Sequence, residues 1–271
     1  MASIKLNTLY VTTDNLYLHH EGDLIKVKKK QETLLRIPFH HIDGIVFLSY
    51  SSISPSLLQK CLIRGLPVAF LSERGRFLGR LEGYNPGNVL LRKEQFRKAD
   101  SPDYKLRFAK AFIAGKIQNA RLNLLRSARD SGNQDAQNRI KQIITELENN
   151  LSALSKASDV ASLRGFEGDS ARKYFSVFND CILHQNNDFS FDRRTKRPPR
   201  SRLNAMLSFA YSLFTNDCIS ACQAAGLDPY IGFLHEERPG RPSLALDLVE
   251  EFRPLADRFV FTLINRKQIQ A

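Results

Sequence analysis

The chain lacks the features that would place it in a membrane or outside the cell. No stretch reaches the roughly 18 apolar residues that a bilayer-spanning helix needs. No basic amphipathic anchor is evident either. The N-terminus, MASIKLNTLYVTTDN, has no apolar signal-peptide core and already alternates like a strand. A cytoplasmic protein with no membrane association is therefore expected. Cysteine is scarce: Cys61, Cys181, Cys218 and Cys222 form no CxxC pair. Cys218 and Cys222 lie on one helix face, where they read as small buried apolar side chains rather than zinc ligands. HExxH, P-loop, GxSxG and zinc-finger spacings are also missing, as are internal repeats and low-complexity tracts.

What the chain has in excess is positive charge. Its 271 residues include 40 Lys and Arg against 28 Asp and Glu, a formal net charge of +12. Such a balance favours an anionic partner, above all nucleic acid, whose phosphates release counterions on contact. The length leaves room for two domains.

The hydrophobic period changes once along the chain. Up to about residue 85 the runs are short and rich in β-branched or aromatic residues: TLYVTT, LYLHH, DLIKVK, TLLRIPF, IDGIVFL, LPVAFLS and GRFLGRLEG. Of these, IDGIVFL is continuously apolar, as a strand buried on both faces would be. One helix interrupts them, capped by Ser54, opened by Pro55 and closed by Gly65. The tetrapeptide Tyr84-Asn85-Pro86-Gly87 punctuates the boundary. Beyond it the period of about 3.6 predicts helices over 88–99, 103–130, 134–155, 158–183 and 201–225. The expected fold is α+β and multidomain: an N-terminal β-rich domain over 1–85, then an all-helical C-terminal domain over 86–271.

Two basic features stand out in the helical half. The 103–130 segment carries Lys105, Arg107, Lys110, Lys116, Arg121, Arg126 and Arg129, a solvated face with a modest tilt toward phosphate contact. The loop RRTKRPPRSR places Arg193, Arg194, Lys196, Arg197, Arg200 and Arg202 close together. It reads either as an open solvated loop or as a phosphate clamp stiffened by Pro198 and Pro199. Phe189 and Phe191 nearby offer stacking against a splayed base.

Against this basic background, one set of acidic and imidazole groups is conspicuous. Glu167 lies within a predicted helix between Gly165 and Gly168. Glycines are costly there, so the pair implies close approach by a neighbouring helix or a substrate backbone. His235 follows the apolar run Tyr230–Leu234, and the next helix carries Asp247, Glu250 and Glu251 at spacings that let them share a face. Acidic charge near a helix N-terminus is one explanation. The other is a cation site, because Leu244, Leu246, Leu248 and Val249 make the surroundings apolar. Carboxylates with one imidazole suit Mg²⁺ or Mn²⁺, which polarise a phosphodiester and activate its attacker.

Four strings carry a resemblance: LRGFEGDSARKYF, RPP…SRLNAMLSFAYSLF, GLDPYIGFLH and LALDLVEEFRP. In their residues and order the chain resembles the universal spacer-acquisition integrase of CRISPR adaptation, the larger member of the conserved adaptation pair. The flavour is that of subtype I-C. The resemblance implies antiviral defence by a metal-dependent DNA endonuclease and integrase. A captured fragment's 3′-hydroxyl attacks a phosphodiester at a repeat boundary of the CRISPR array, a transesterification. It also implies Glu167, His235 and Glu250 as ligands of Mg²⁺ or Mn²⁺, with Asp247 as a second acidic position at the catalytic site. Double-stranded DNA, a homodimer formed through the β-rich domain and a small ferredoxin-like partner protein are the implied associates. Family chains continue past the equivalent of Phe259–Ala271, so a C-terminally shortened chain is expected. Two other readings stand beside the integrase. One is a metal-dependent nuclease cutting branched or single-stranded DNA without integration; the other is a non-catalytic DNA-binding scaffold.

Overall fold

The computed structural model describes residues 2–5, 7–81, 83, 89–196 and 198–270, with the side chains of 2–5 excepted. The chain divides into two compact units, Met1–Gly87 and Asn88–Ala271. The tetrapeptide Tyr84–Gly87 lies outside the described residues.

The first unit holds two sheets. Strands β1 (Ala2–Lys5), β2 (Thr8–Val11), β6 (Gly44–Phe47), β8 (Val68–Leu71) and β9 (Phe77–Leu81) form one, in the order β1-β2-β6-β8-β9. Its inner pairs β2–β6 and β6–β8 run parallel, and its outer pairs antiparallel. Every residue of β6 is buried, as its unbroken apolar run required. The second sheet joins β5 (Glu32–Pro38), β4 (Leu24–Lys29), β3 (Leu16–Glu21) and the two-residue β7 (Ser52–Ile53). Leu9, Val11 and Ile45 of the first sheet share a core with Leu18, Ile25 and Val27 of the second. Helix α1 (Pro55–Arg64) contributes Leu57 and Cys61 to it. That helix starts because Ser54 Oγ accepts from the Leu57 N–H, and it stops because Gly65 adopts φ +65°.

The second unit is helical: α2 (Val89–Asp100), α3 (Pro102–Asp130), α4 (Gln134–Ala153), α5 (Val160–Ser176), α6 (Arg202–Ala224) and α7 (Ser243–Asn265). Side-chain caps fix three of the starts, Asn133 for α4, Asp159 for α5 and Ser201 for α6. The described residues thus give a β-rich N-terminal region followed by helices, and none of these helices is long and apolar enough to cross a membrane.

The helix expected over 158–183 ends at Ser176. A short 3-10 turn at Asn179–Cys181 follows, because the Asn179 side chain pairs with the Phe191 backbone, donating to its carbonyl at 2.8 Å and accepting its N–H at 2.7 Å. Phe189 and Phe191 are buried, and Phe191 stacks on Phe175 with ring centres 5.4 Å apart. They belong to the helical core, which corrects the expectation that they stack on a base. The four cysteines are buried free thiols, and burial pushes the Cys218 thiol up to about 12.

Candidate active site

Helix α5 presents Glu167, α7 presents Glu250, and the segment leading into α7 presents His235; all three line one cavity of about 350 Å³. Lys116 of α3, Arg194 and Lys196 of the basic loop, and Arg253 of α7 line it too. Acids and bases scattered over the sequence therefore face one space.

Three contacts place His235. Gln95 of α2 donates to the carbonyls of Asp228 and Ile231 at 2.8 and 2.9 Å, and accepts the Asp228 N–H at 2.9 Å. Arg164 of α5 reaches the Leu234 carbonyl at 3.3 Å and Glu236 at 3.1 Å. Gly232 then packs so closely on α7 that a Cβ there would meet the Ser243 backbone at 2.8 Å and Asp247 Oδ2 at 2.9 Å. Only glycine permits that approach.

Asp247 is fully buried and does not line the cavity. Its Oδ2 accepts the N–H groups of Phe233 at 2.6 Å and Leu234 at 3.0 Å. Its Oδ1 accepts the His235 N–H at 2.9 Å and lies 2.7 Å from His235 Nδ1. A carboxylate can only accept, so Nδ1 carries a proton and, in the neutral ring, Nε2 keeps its lone pair for the cavity. Asp247 therefore acts through His235, as a carboxylate behind a metal-binding histidine does. Glu251, expected to share the acidic face, instead lies over Gly115 of α3.

Glu250 is the buried charge of the site, its side chain 4% exposed. Burial pushes its carboxyl up, but the positive charges of Lys116 and Arg253 outweigh that and hold it below its ordinary value. Lys116 Nζ stands 2.6 Å from Glu250 Oε2 and 2.5 Å from Glu167 Oε1. Arg253 Nε lies 2.9 Å from Glu250 Oε1. Yet Glu250 Oε2 and Arg253 Nε are both buried without an aligned hydrogen bond. The Lys116 and Arg253 cations balance the charge of this carboxylate.

Beneath the carboxylates lies a polar floor. Tyr211 and Tyr174 donate to the two oxygens of Asp257 at 2.5 and 3.1 Å, and Asn123 donates to the Tyr174 hydroxyl at 2.6 Å. Asp257 is completely enclosed, and burial raises its carboxyl to about 6. The Arg194 and Arg253 guanidiniums lie 5.3 and 4.9 Å from the Tyr211 ring centre.

The basic loop divides. Arg194 is fixed, donating to Asn204 Oδ1 and Ser208 Oγ at 2.9 Å each, and Lys196 is exposed at the cavity wall. Arg202 pairs with Asp188 at 3.0 Å, and Arg193 and Arg200 are exposed away from the cavity lining. Arg197 lies outside the described residues. Gly165 and Gly168 also differ from expectation. A Cβ at either would meet nothing within 4 Å, so no neighbouring helix presses on these two glycines.

Sequence reasoning missed Gln95, Arg253, Tyr174, Tyr211 and Asp257, and saw Lys116 only as part of a helix face. The available signal was spacing: Arg253 follows Glu250 by three and Asp257 by seven, placing all three along one side of α7.

In donor chemistry, two carboxylates and an imidazole with a free Nε2 suit a hard or borderline divalent cation. His235 Nε2 lies 4.0 Å from Glu250 Oε1, so one divalent ion could be held by both side chains. Among the described residues, however, no three His, Cys, Asp or Glu side chains close a metal site as they stand. Between the two carboxylates the Lys116 ammonium stands instead.

The profile of the family described as CRISPR associated protein Cas1 matches residues 9–271. A CRISPR-associated endonuclease Cas1 of Leptospira interrogans is 60% identical over 67% of this chain and 71% of its own length. One from Chlorobaculum tepidum is 46% identical over 98% of this chain and 78% of its own. A solved structure of a casposase bound to integration product shares the fold, with a TM-score of 0.79 at 23% identity over 98% of this chain and 75% of that one. With a profile spanning both units and a relative of 46% identity along almost all of its length, the chain belongs to the Cas1 family.

Proposed function

We propose that this chain is a divalent-metal-dependent DNA endonuclease and integrase that inserts captured DNA fragments into a CRISPR array. The observation that carries the proposal is the convergence of Glu167, His235 and Glu250 on one cavity whose other walls include Arg194 and Lys196. Glu167, His235 and Glu250 would hold Mg²⁺ or Mn²⁺. Such an ion supplies Lewis-acid polarisation of the scissile phosphate and lowers the pKa of the attacking hydroxyl. The chain's own groups do the rest. Asp247 holds the His235 ring with Nε2 toward the cavity. Arg194, Lys196 and Arg253 supply positive charge to seat a phosphate beside the carboxylates. Tyr174, Tyr211 and Asp257 add a hydrogen-bonded polar lining to the same cavity.

The attack of a 3′-hydroxyl on a phosphodiester exchanges one ester for another, so no water is consumed in the joining step. The casposase complex, named for an integration product, shows the shared fold with such a product. We also propose the remaining expectations: contact of double-stranded DNA by the loop from Arg193 to Arg202, a homodimer through the β-rich unit, and a small ferredoxin-like partner.

The test is Glu167→Ala, assayed for cleavage and strand transfer into a repeat-bearing plasmid with Mn²⁺. Activity should fall at least about 100-fold, since a ligand matters more than its supporting contacts. DNA affinity should stay within about threefold, because binding rests on the basic surface. A fully active variant would remove Glu167 from the metal site.

A further inference from the structure

The ammonium of Lys116 stands where a cation between the two carboxylates would stand. It is 2.5 Å from Glu167 Oε1 and 2.6 Å from Glu250 Oε2, on a side chain 17% exposed. The lysine comes from the middle of α3, a helix of 29 residues whose Ile113, Ile117 and Ala120 are buried around it, so its Cα is fixed and only the flexible stem can move. At Glu250 the contact is an ion pair. A lysine ammonium is a compact point charge on a mobile stem.

We propose that Lys116 is a tethered counter-ion, which neutralises Glu167 and Glu250 in the absence of metal and must leave them when a divalent cation binds. This rests on the metal site proposed above. An ammonium and a divalent ion cannot both sit within 3 Å of the same oxygens, because their mutual repulsion is several kcal/mol even with an effective dielectric near 20. The displaced ammonium then meets a cavity whose other charged side chains are Arg194, Lys196 and Arg253, all positive, and the enclosed Asp257. His235 offers it no anion, Asp257 has both oxygens taken by Tyr211 and Tyr174, and Asp247, whose oxygens are taken by His235 and the backbone, does not reach the cavity. A DNA phosphate seated there would supply one. Metal binding without DNA is therefore opposed, and metal and phosphate bind cooperatively, with Lys116 passing from carboxylate to phosphate.

The experiment measures Mn²⁺ binding by electron paramagnetic resonance, for the wild type, Lys116→Met and Glu167→Gln, with and without a short DNA duplex. Methionine keeps the stem and removes the charge. Without DNA, Lys116→Met should bind Mn²⁺ at least about 10-fold more tightly than the wild type, since an opposing charge in contact shifts such equilibria by one to three decades. DNA should raise the wild-type affinity and raise that of Lys116→Met much less. Equal or weaker binding by Lys116→Met, still sensitive to Glu167→Gln, overturns the counter-ion while leaving the metal site standing. Absence of any Mn²⁺ binding sensitive to Glu167→Gln, in wild type and Lys116→Met alike, overturns the metal site and the counter-ion together. If Lys116→Met fails to fold, the wild type alone decides through labelling of Lys116 by an amine-reactive acetylating reagent, read by peptide mass spectrometry. Saturating Mn²⁺ should raise labelling at Lys116 several-fold, and unchanged or reduced labelling overturns the proposal.

Discussion

Replacing Asp247 with asparagine changes almost no volume and tests how the imidazole is held. In the native protein one carboxylate accepts from three backbone N–H groups and the His235 ring, at 2.6 to 3.0 Å, with no exposure to solvent. Asparagine has one accepting oxygen. Turned one way, its NH₂ faces the Phe233 and Leu234 N–H groups; turned the other, it faces the His235 N–H and the ring, whose Nδ1 can accept from it only by taking the other tautomer. At least one buried donor, and two where the tautomer is kept, loses its acceptor, at about 1–3 kcal/mol each. The surviving bonds lose their charge assistance, which is roughly half their strength. The sum is about 2–6 kcal/mol, a large share of the 5–15 kcal/mol typical of a domain. Urea denaturation followed by far-ultraviolet circular dichroism reports the helical unit, and hydrogen exchange of the 233–235 amides reports the turn. Mn²⁺ affinity should fall in the fraction that remains folded, because the ring loses its orientation. A loss below about 1 kcal/mol with unchanged exchange at those amides would refute the assignment of Asp247 as the residue that holds this turn.

Asp257 makes stability depend on pH. Its folded carboxyl sits near 6, above its value in the unfolded chain, so its contribution is complete below about pH 4 and is lost as pH rises through 6. The difference is about 2–3 kcal/mol. Asp257→Asn should abolish that part of the slope, seen as parallel wild-type and variant stabilities above pH 6 that diverge between 6 and 4. Gly165→Ala and Gly168→Ala, each into open space within α5, should each stabilise the protein by about 0.5–1 kcal/mol in the same urea assay. Reduced DNA affinity in these two stabilised variants would show that a nucleic-acid backbone uses the open face.

The change of hydrophobic period near residue 85 carried most of the fold, because alternation and a 3.6-residue repeat are local properties. Ser54, Pro55 and Gly65 bounded α1 for the same reason, each acting on its own backbone. The two-residue β7 had no local signal, since its pairing with β3 is a tertiary event. Likewise the end of α5 is set by Asn179 reaching the Phe191 backbone twelve residues away. At the site, the residue types and the resemblance together named Glu167, His235 and Glu250. The division of labour among the acids was not legible. Asp247 and Glu250 are three residues apart on one helix, yet one faces a turn of backbone amides and the other a cavity. Nor did the flanking glycines of Glu167 mark close packing; the glycine that does is Gly232, whose neighbours Ser243 and Asp247 lie on the next helix.

The scatter of the site along the helical unit has a consequence for synthesis. Lys116, Glu167, Arg194, His235 and Glu250 come from five separate segments, and the last of them lies on α7. During translation, a chain that has emerged only as far as α6 holds Glu167 and Lys116 but neither His235 nor Glu250. Bringing α7 against α3 closes a loop of more than a hundred residues, a contact that a chain makes late. The Glu250 carboxylate meets Lys116 of α3 only after that closure. Lys116, Glu167, His235 and Glu250 therefore come together in the same step as the completed helical core, and a nascent helical unit carries its basic surface before its acids converge.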